Sequence, residues 1–273
     1  MIHRILSFTI REALQSSAPR KVICLFGPRQ VGKTTICRSF SESTHYFNWD
    51  NVDDQQQILK GPQAIVEKMG LTPRSTVIFD ELHKFPNWKN FIKGFFDTYH
   101  KGQMNIVVTG SARLDIYRKG ADSLMGRYFP YHIHPLSVSE IVRQEMPKTE
   151  ISNPLPIPDE QFARLLKFGG FPEPFLKGKP QFYNRWKQQR NQLLFREEIR
   201  DTTRIHEISQ VQLLAEFLRQ QSGQLLNYAS LARKIRASQD SIRRWLTALE
   251  SLYFCFSIRP WTQNVSRSSE HWT

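Results

Sequence analysis

The chain has 273 residues, 40% of them hydrophobic and 23% charged, with a net charge of +13. That length suits one large domain or two to three small ones, and the composition is that of an ordinary soluble protein. The longest strictly apolar run, Val22 to Phe26, is far short of the ~18 residues of a membrane span, so no membrane partner is expected. Cys24, Cys37 and Cys255 show no metal-ligand spacing and suit a reducing cytoplasm.

From the N-terminus, Ile2, Ile5, Leu6, Ile10 and Leu14 recur at helical spacing, with Arg4 and Arg11 among them. They predict an amphipathic helix over residues 2–16 that packs on the domain behind it. Lys21–Phe26 reads as a buried strand entering a loop, and a helix starts after Lys33. A second strand follows at His45–Trp49, a helix over 52–69, and a third strand at Thr76–Phe79. Asn87 caps a helix over 88–100, where Trp88, Phe91, Ile92, Phe95 and Tyr99 form a core stripe. Asn105–Thr109 and Tyr128–His134 complete the strands. His132 and His134 share a face of the last one, with no ligand set around them. Strands alternating with helices predict an α/β fold with a mostly parallel sheet.

Beyond Pro135 the pattern becomes helical, over Ser137–Glu145, 159–168 and 181–200, with a proline-rich linker at 146–158. Val211–Gln221, Tyr228–Ile235 and Gln239–Leu252 read as three further helices. Tyr253–Ile258 alternates as a strand, so this last stretch resembles a winged helix.

The chemistry concentrates at Gly27-Pro28-Arg29-Gln30-Val31-Gly32-Lys33-Thr34, a P-loop of Walker A type. Its glycines let consecutive N–H groups turn toward phosphates, and the following helix adds its positive end. Lys33 is expected to reach the β- and γ-phosphates, Thr34 to coordinate Mg²⁺, and Thr35 to continue the cradle, with ATP as the nucleotide. Thr76-Val77-Ile78-Phe79-Asp80-Glu81 is an apolar strand ending in two carboxylates, as a Walker B segment does. Asp80 is expected in the Mg²⁺ shell opposite Thr34, and Glu81 as the base for the attacking water. The fourth strand delivers Thr109 and Ser111, either of which could sense the γ-phosphate or hold the water. Arg113 and Arg127 are candidates for an arginine supplied to a neighbour's γ-phosphate, with Arg127 preferred. Neither an NKxD nor an LSGGQ-type motif occurs, which argues against GTPases and ABC transporters.

These motifs occur in the order Gly27–Thr34, Ile78–Lys84, Val108–Arg113, Leu124–Arg127 and Pro135–Ser137, followed by Gly169–Pro174 and Arg196–Asp201. Together they resemble the predicted prokaryotic AAA+ ATPases. The resemblance implies a P-loop NTPase core of AAA+/ASCE type, a helical lid and a winged-helix-like module. The boundaries expected are an N-terminal helix at 1–20, the core at 21–136, the lid at 137–204, the module at 205–262 and a polar tail at 263–273. A C-terminal domain of nuclease-like fold usually follows in that family. Here the chain ends soon after Trp261, which suggests a truncated or frameshifted copy.

Residues 185–267 carry 14 Lys+Arg against 7 Asp+Glu, a net +7 in fewer than half the residues that bear +7 over 1–184. From 219 to 244, Arg219, Arg233, Lys234, Arg236, Arg243 and Arg244 face one acid, Asp240. DNA is one candidate partner for this stretch; a structural or protein-contact role is the other. The leading expectation is an ATP-hydrolysing enzyme, with a homo-oligomer as one way to use Arg127. The alternative is a nucleotide-dependent DNA-binding or regulatory switch whose hydrolysis is slow or vestigial.

Overall fold

The computed structural model describes residues 4–15, 21–40, 44–70, 75–100, 104–110, 124, 126–143, 145, 149, 151–202 and 205–258. The chain divides into two compact units, Met1–Leu193 and Leu194–Thr273.

In the first unit, helix α1 (Ile5–Gln15) precedes strand β1 (Val22–Phe26), and α2 (Lys33–Arg38) follows the P-loop. Then come β2 (Thr44–Asn48), α3 (Val52–Lys60), α4 (Pro62–Met69), β3 (Thr76–Asp80), α5 (Trp88–Phe95), β4 (Asn105–Gly110) and β5 (Tyr128–His132). The predicted helix 52–69 is thus two. Gly61, at φ 99°, ends α3, and Pro62 starts α4 at a position where its missing N–H has no cost. The aromatic helix over 88–100 keeps its stripe, but its last turn, Phe96–His100, widens to π-type.

The five strands are parallel and ordered β2-β3-β4-β1-β5. Strands β1, β3 and β4 are buried along their whole length, which explains why they read as continuous apolar runs rather than alternating ones. On one face Phe26, Phe79, Ile92, Phe95 and Val108 form a core with α5. On the other, Ile10 and Leu14 of α1 pack with Leu25, Ile36, Ile78 and Val107. A fully buried side chain such as Ile10 contributes roughly 1.5–3 kcal/mol, so α1 is packed onto the sheet. Because β1 lies between β4 and β5, the P-loop leaves the carboxyl edge of the sheet between those two strands, the edge where open α/β sheets present ligand sites.

Four helices follow in this unit: α6 (Val138–Val142), α7 (Asp159–Phe168), α8 (Pro172–Lys177) and α9 (Pro180–Leu193). The first is shorter than the predicted Ser137–Glu145, because Arg143 is already extended.

The second unit starts in a π-type turn, Leu194–Glu198, and α10 (Ile199–Thr202), then α11 (Ile208–Gln220), α12 (Tyr228–Ile235) and α13 (Gln239–Ser251). Asn227 and Ser238 cap α12 and α13 through the N–H groups of Ser230 and Ser241, at 2.9 and 3.0 Å. Val211, Leu214, Leu231, Ile235, Ile242, Trp245 and Leu249 form the shared core.

The predicted strand Tyr253–Ile258 does not form. Tyr253 turns left-handed at φ 59°, and Phe254 N–H closes back onto Leu249 O at 2.9 Å. Phe254 then packs on Phe195. Among the described residues no neighbouring edge accepts a strand here, and a lone strand has no ladder to stabilise it. Residues 205–258 form a three-helix cluster with no wing.

Candidate nucleotide site

The P-loop wraps around its own lysine. Lys33 Nζ, 5% exposed, donates to the carbonyls of Gly27 and Pro28 at 2.9 and 3.0 Å. Gly32 at φ 100° begins α2, a conformation that disfavours any side chain. Gly27 is required for a second reason: a Cβ there would stand 2.2 Å from Ile133 O. The chain after β5 presses that closely because Ile133 N–H bonds Phe26 O at 2.7 Å.

Asp80, at the end of β3 and 3% exposed, accepts three hydroxyls. Thr34 Oγ1 donates to Oδ2 at 2.8 Å, Tyr46 Oη donates to the same oxygen, and Thr109 Oγ1 donates to Oδ1. Thr109 Oγ1 in turn accepts the Glu81 N–H at 3.1 Å. A single side chain on β4 thereby fixes Asp80 and the backbone of Glu81. Burial, followed by the bond to Asp80, raises the Tyr46 hydroxyl pKa well above its usual range. Burial likewise raises the Cys37 thiol, which stays protonated and inert.

Glu81 adopts a left-handed backbone at φ 54°, a sparsely populated conformation that turns its side chain off the strand line. Its Oε2 has no hydrogen-bond partner among the described residues and lies 3.8 Å from His83 Nδ1 and 3.9 Å from Lys84 Nζ. Burial raises its pKa, partly offset by the charges of Lys33 and Lys84. His83 is held down to about 3 by burial and then by Lys84, Lys33 and Arg29, so it is neutral beside Glu81. Lys84 itself is anchored to Asp50 at 2.6 Å.

The structure therefore brings together Gly27–Thr34, Asp80, Glu81 and Thr109. Ser111 and Arg113 lie outside the described residues. Arg127 stands at the amino edge of the sheet, where its carbonyl accepts the Val22 N–H. Its guanidinium pairs with Asp97 at 2.8 Å. The P-loop of the same chain leaves β1 at the opposite edge. Three contributors escape a sequence reading: Tyr46, Arg190, whose Nη1 donates to Arg29 O at 3.2 Å, and Arg4, whose Nη1 donates to Val31 O at 2.8 Å. Their partners are 34, 161 and 27 positions away. No local spacing signals such contacts.

Residues 19–142 match the family model described as AAA domain, and residues 159–271 match a domain of unknown function (DUF8612). Neither spans half of the chain. The parallel sheet, the P-loop and the first match together give an α/β AAA domain of P-loop type, followed by a helical region. An uncharacterized protein of Mycobacterium tuberculosis is 23% identical over 248 residues, covering 90% of this chain and 51% of its own length. One of Haemophilus influenzae is 22% identical over 261 residues, covering 85% and 61%. The chain thus spans about half to three-fifths of the curated relatives it matches. Among solved structures, AMPPCP-bound DnaA from Aquifex aeolicus is similar at TM-score 0.44 and 14% identity, covering 90% of this chain and 87% of that one. The Thermotoga maritima RuvB Holliday junction branch migration motor is similar at TM-score 0.40 and 12% identity, covering 99% and 95%. Likeness at this level transfers neither ligand nor activity. No helix among the described residues is long and apolar enough to cross a membrane.

Proposed function

We propose that the chain binds ATP with Mg²⁺ and hydrolyses it to ADP and phosphate. The observation that carries this reading is the 2.8 Å bond between the Thr34 hydroxyl and Asp80 beside the phosphate loop. These are hard oxygen donors, the set Mg²⁺ takes, next to N–H groups suited to phosphates. Thr34 and Asp80 would hold the ion, which when bound neutralises phosphate charge. Lys33 exchanges the Gly27 and Pro28 carbonyls for β- and γ-phosphate oxygens, and Gly27–Thr35 cradle the chain of phosphates.

Glu81 suits the base: burial raises its pKa, and its Oε2 has no hydrogen-bond partner among the described residues. In the reaction a water oxygen bonds to the γ-phosphorus, the bond to the β–γ bridging oxygen breaks, and Glu81 takes the water proton. Thr109 keeps Asp80 and Glu81 in fixed relation. Arg127 serves a neighbouring copy rather than its own site, in keeping with its place at the far edge of the sheet.

The basic stretch 219–244 does not by itself favour the DNA-binding alternative. Arg219, Lys234 and Arg243 lie over the rings of Phe254, Phe217 and Tyr228 at 5.2, 5.4 and 4.7 Å, and Arg244 approaches Glu207 at 3.8 Å.

The deciding experiment pairs ATP binding with phosphate release. Glu81→Gln is expected to keep affinity and lose turnover, and Lys33→Ala to lose affinity itself. Turnover unchanged in Glu81→Gln removes the base assignment, and unchanged affinity in Lys33→Ala removes the nucleotide site.

A further inference from the structure

A loop that turns its N–H groups inward to phosphates must turn carbonyls outward, and buried carbonyls need donors. In this structure Lys33 serves Gly27 and Pro28, and the first turn of α2 serves Gly32 through the Ile36 N–H at 3.0 Å. Val31, fully buried, has its carbonyl served from outside by Arg4 at 2.8 Å. Arg4 is itself only 8% exposed. Its other nitrogens donate to His134 O at 2.5 Å and to Glu140 at 2.8 and 3.2 Å. Glu140 neutralises its charge, so what Arg4 offers the loop is geometry rather than attraction for an anion. One planar fork joins the N-terminal arm, the P-loop, the segment after β5 and α6.

We propose that Arg4 is a positioning residue of the nucleotide site, holding the P-loop in its phosphate-binding shape through Val31 O. The inference rests on the nucleotide-binding reading above. It acquires particular weight when Lys33 leaves its carbonyls for a polyphosphate, because the Arg4 bond does not depend on that lysine. The N-terminal arm is then part of the site, although it lies before the first strand.

The test measures binding of a fluorescent ATP analogue, together with hydrogen exchange of the amides of residues 27–34 in the nucleotide-free protein. The variants are Arg4→Lys, Glu140→Gln and the double change Arg4→Met with Glu140→Gln, which leaves no buried unpaired carboxylate. The double variant is expected to bind about tenfold more weakly, the cost of one buried carbonyl left without its donor. Its faster exchange should be confined to the loop. Arg4→Lys should move the same way by less, because an ammonium cannot span three acceptors. Glu140→Gln alone keeps the bond from Arg4 to Val31 O but leaves the guanidinium without its counter-charge, so it should change affinity and loop exchange less than the double variant. Parent-like affinity and loop exchange in the double variant overturn the proposal; if that variant does not fold, the same result in Arg4→Lys does. If the parent protein itself fails to bind the analogue, the nucleotide reading fails, and loop exchange still decides the role of Arg4.

Discussion

The surroundings of the P-loop and the three-helix cluster of residues 205–252 solve burial in different ways. Around the P-loop, Arg4, Lys33, Asp80 and Thr109 are all less than a tenth exposed, and each is tied to named partners. Between Ile205 and Leu252 the buried described residues are apolar apart from the indole N–H of Trp245, and the basic residues stay on the surface, Arg219, Lys234 and Arg243 over aromatic rings. Buried polar groups cost stability unless paired, so a dense paired set marks where the fold accommodates chemistry. An apolar helical cluster marks packing. The contrast locates function in the first unit more firmly than net charge does, since both halves of the chain are basic.

The comparison can be broken from either side. Trp245→Ala should give the largest loss, about 3–5 kcal/mol, because this residue is 1% exposed in the apolar core; chemical denaturation would measure it. A loss below 1 kcal/mol would show that this core is not what holds the unit. Next comes acid sensitivity in the polar unit. His83 is held down to about 3 against an ordinary 6.5, so the unfolded chain takes up a proton that the folded chain refuses. Stability from this residue is present above pH 6.5 and lost as pH falls from there toward 3. His83→Gln should flatten that part of a melting-temperature profile; an unchanged slope would mean that other groups dominate it.

Thr109→Val keeps the shape of the side chain but strips Asp80 and the Glu81 N–H of a shared partner. A loss of about 1–3 kcal/mol is expected, with turnover falling at least as far as stability. Full activity in this variant would show that the two carboxylates need no common tether. The smallest effect has the opposite sign. Arg236 closes α12 in the left-handed region at φ 58°, so Arg236→Gly should stabilise by up to about 1 kcal/mol. If DNA binding at low salt falls in the same variant, the surface charge has a use beyond solubility.

How much of this was legible beforehand follows from the range of each interaction. The P-loop and the Asp80-Glu81 pair are local, fixed by spacing within eight residues or by a strand that ends in acid, and so is the β–α alternation. Thr109 was visible as a strand-end hydroxyl, though not its double duty. Tyr46 and Arg4 looked like ordinary members of a strand and an amphipathic helix, because their partners are set by the sheet order and by the packing of α1. The supposed strand at Tyr253–Ile258 had the right alternation and lacked a neighbour, which sequence periodicity cannot report.

The lysine folded into its own loop has one more implication. Lys33 bonds two carbonyls of its own loop, so phosphate binding on the reading proposed above is an exchange of partners for this lysine rather than the ordering of a slack segment. Net affinity is then a difference between two sets of contacts, and it is weaker than the phosphate contacts alone would give.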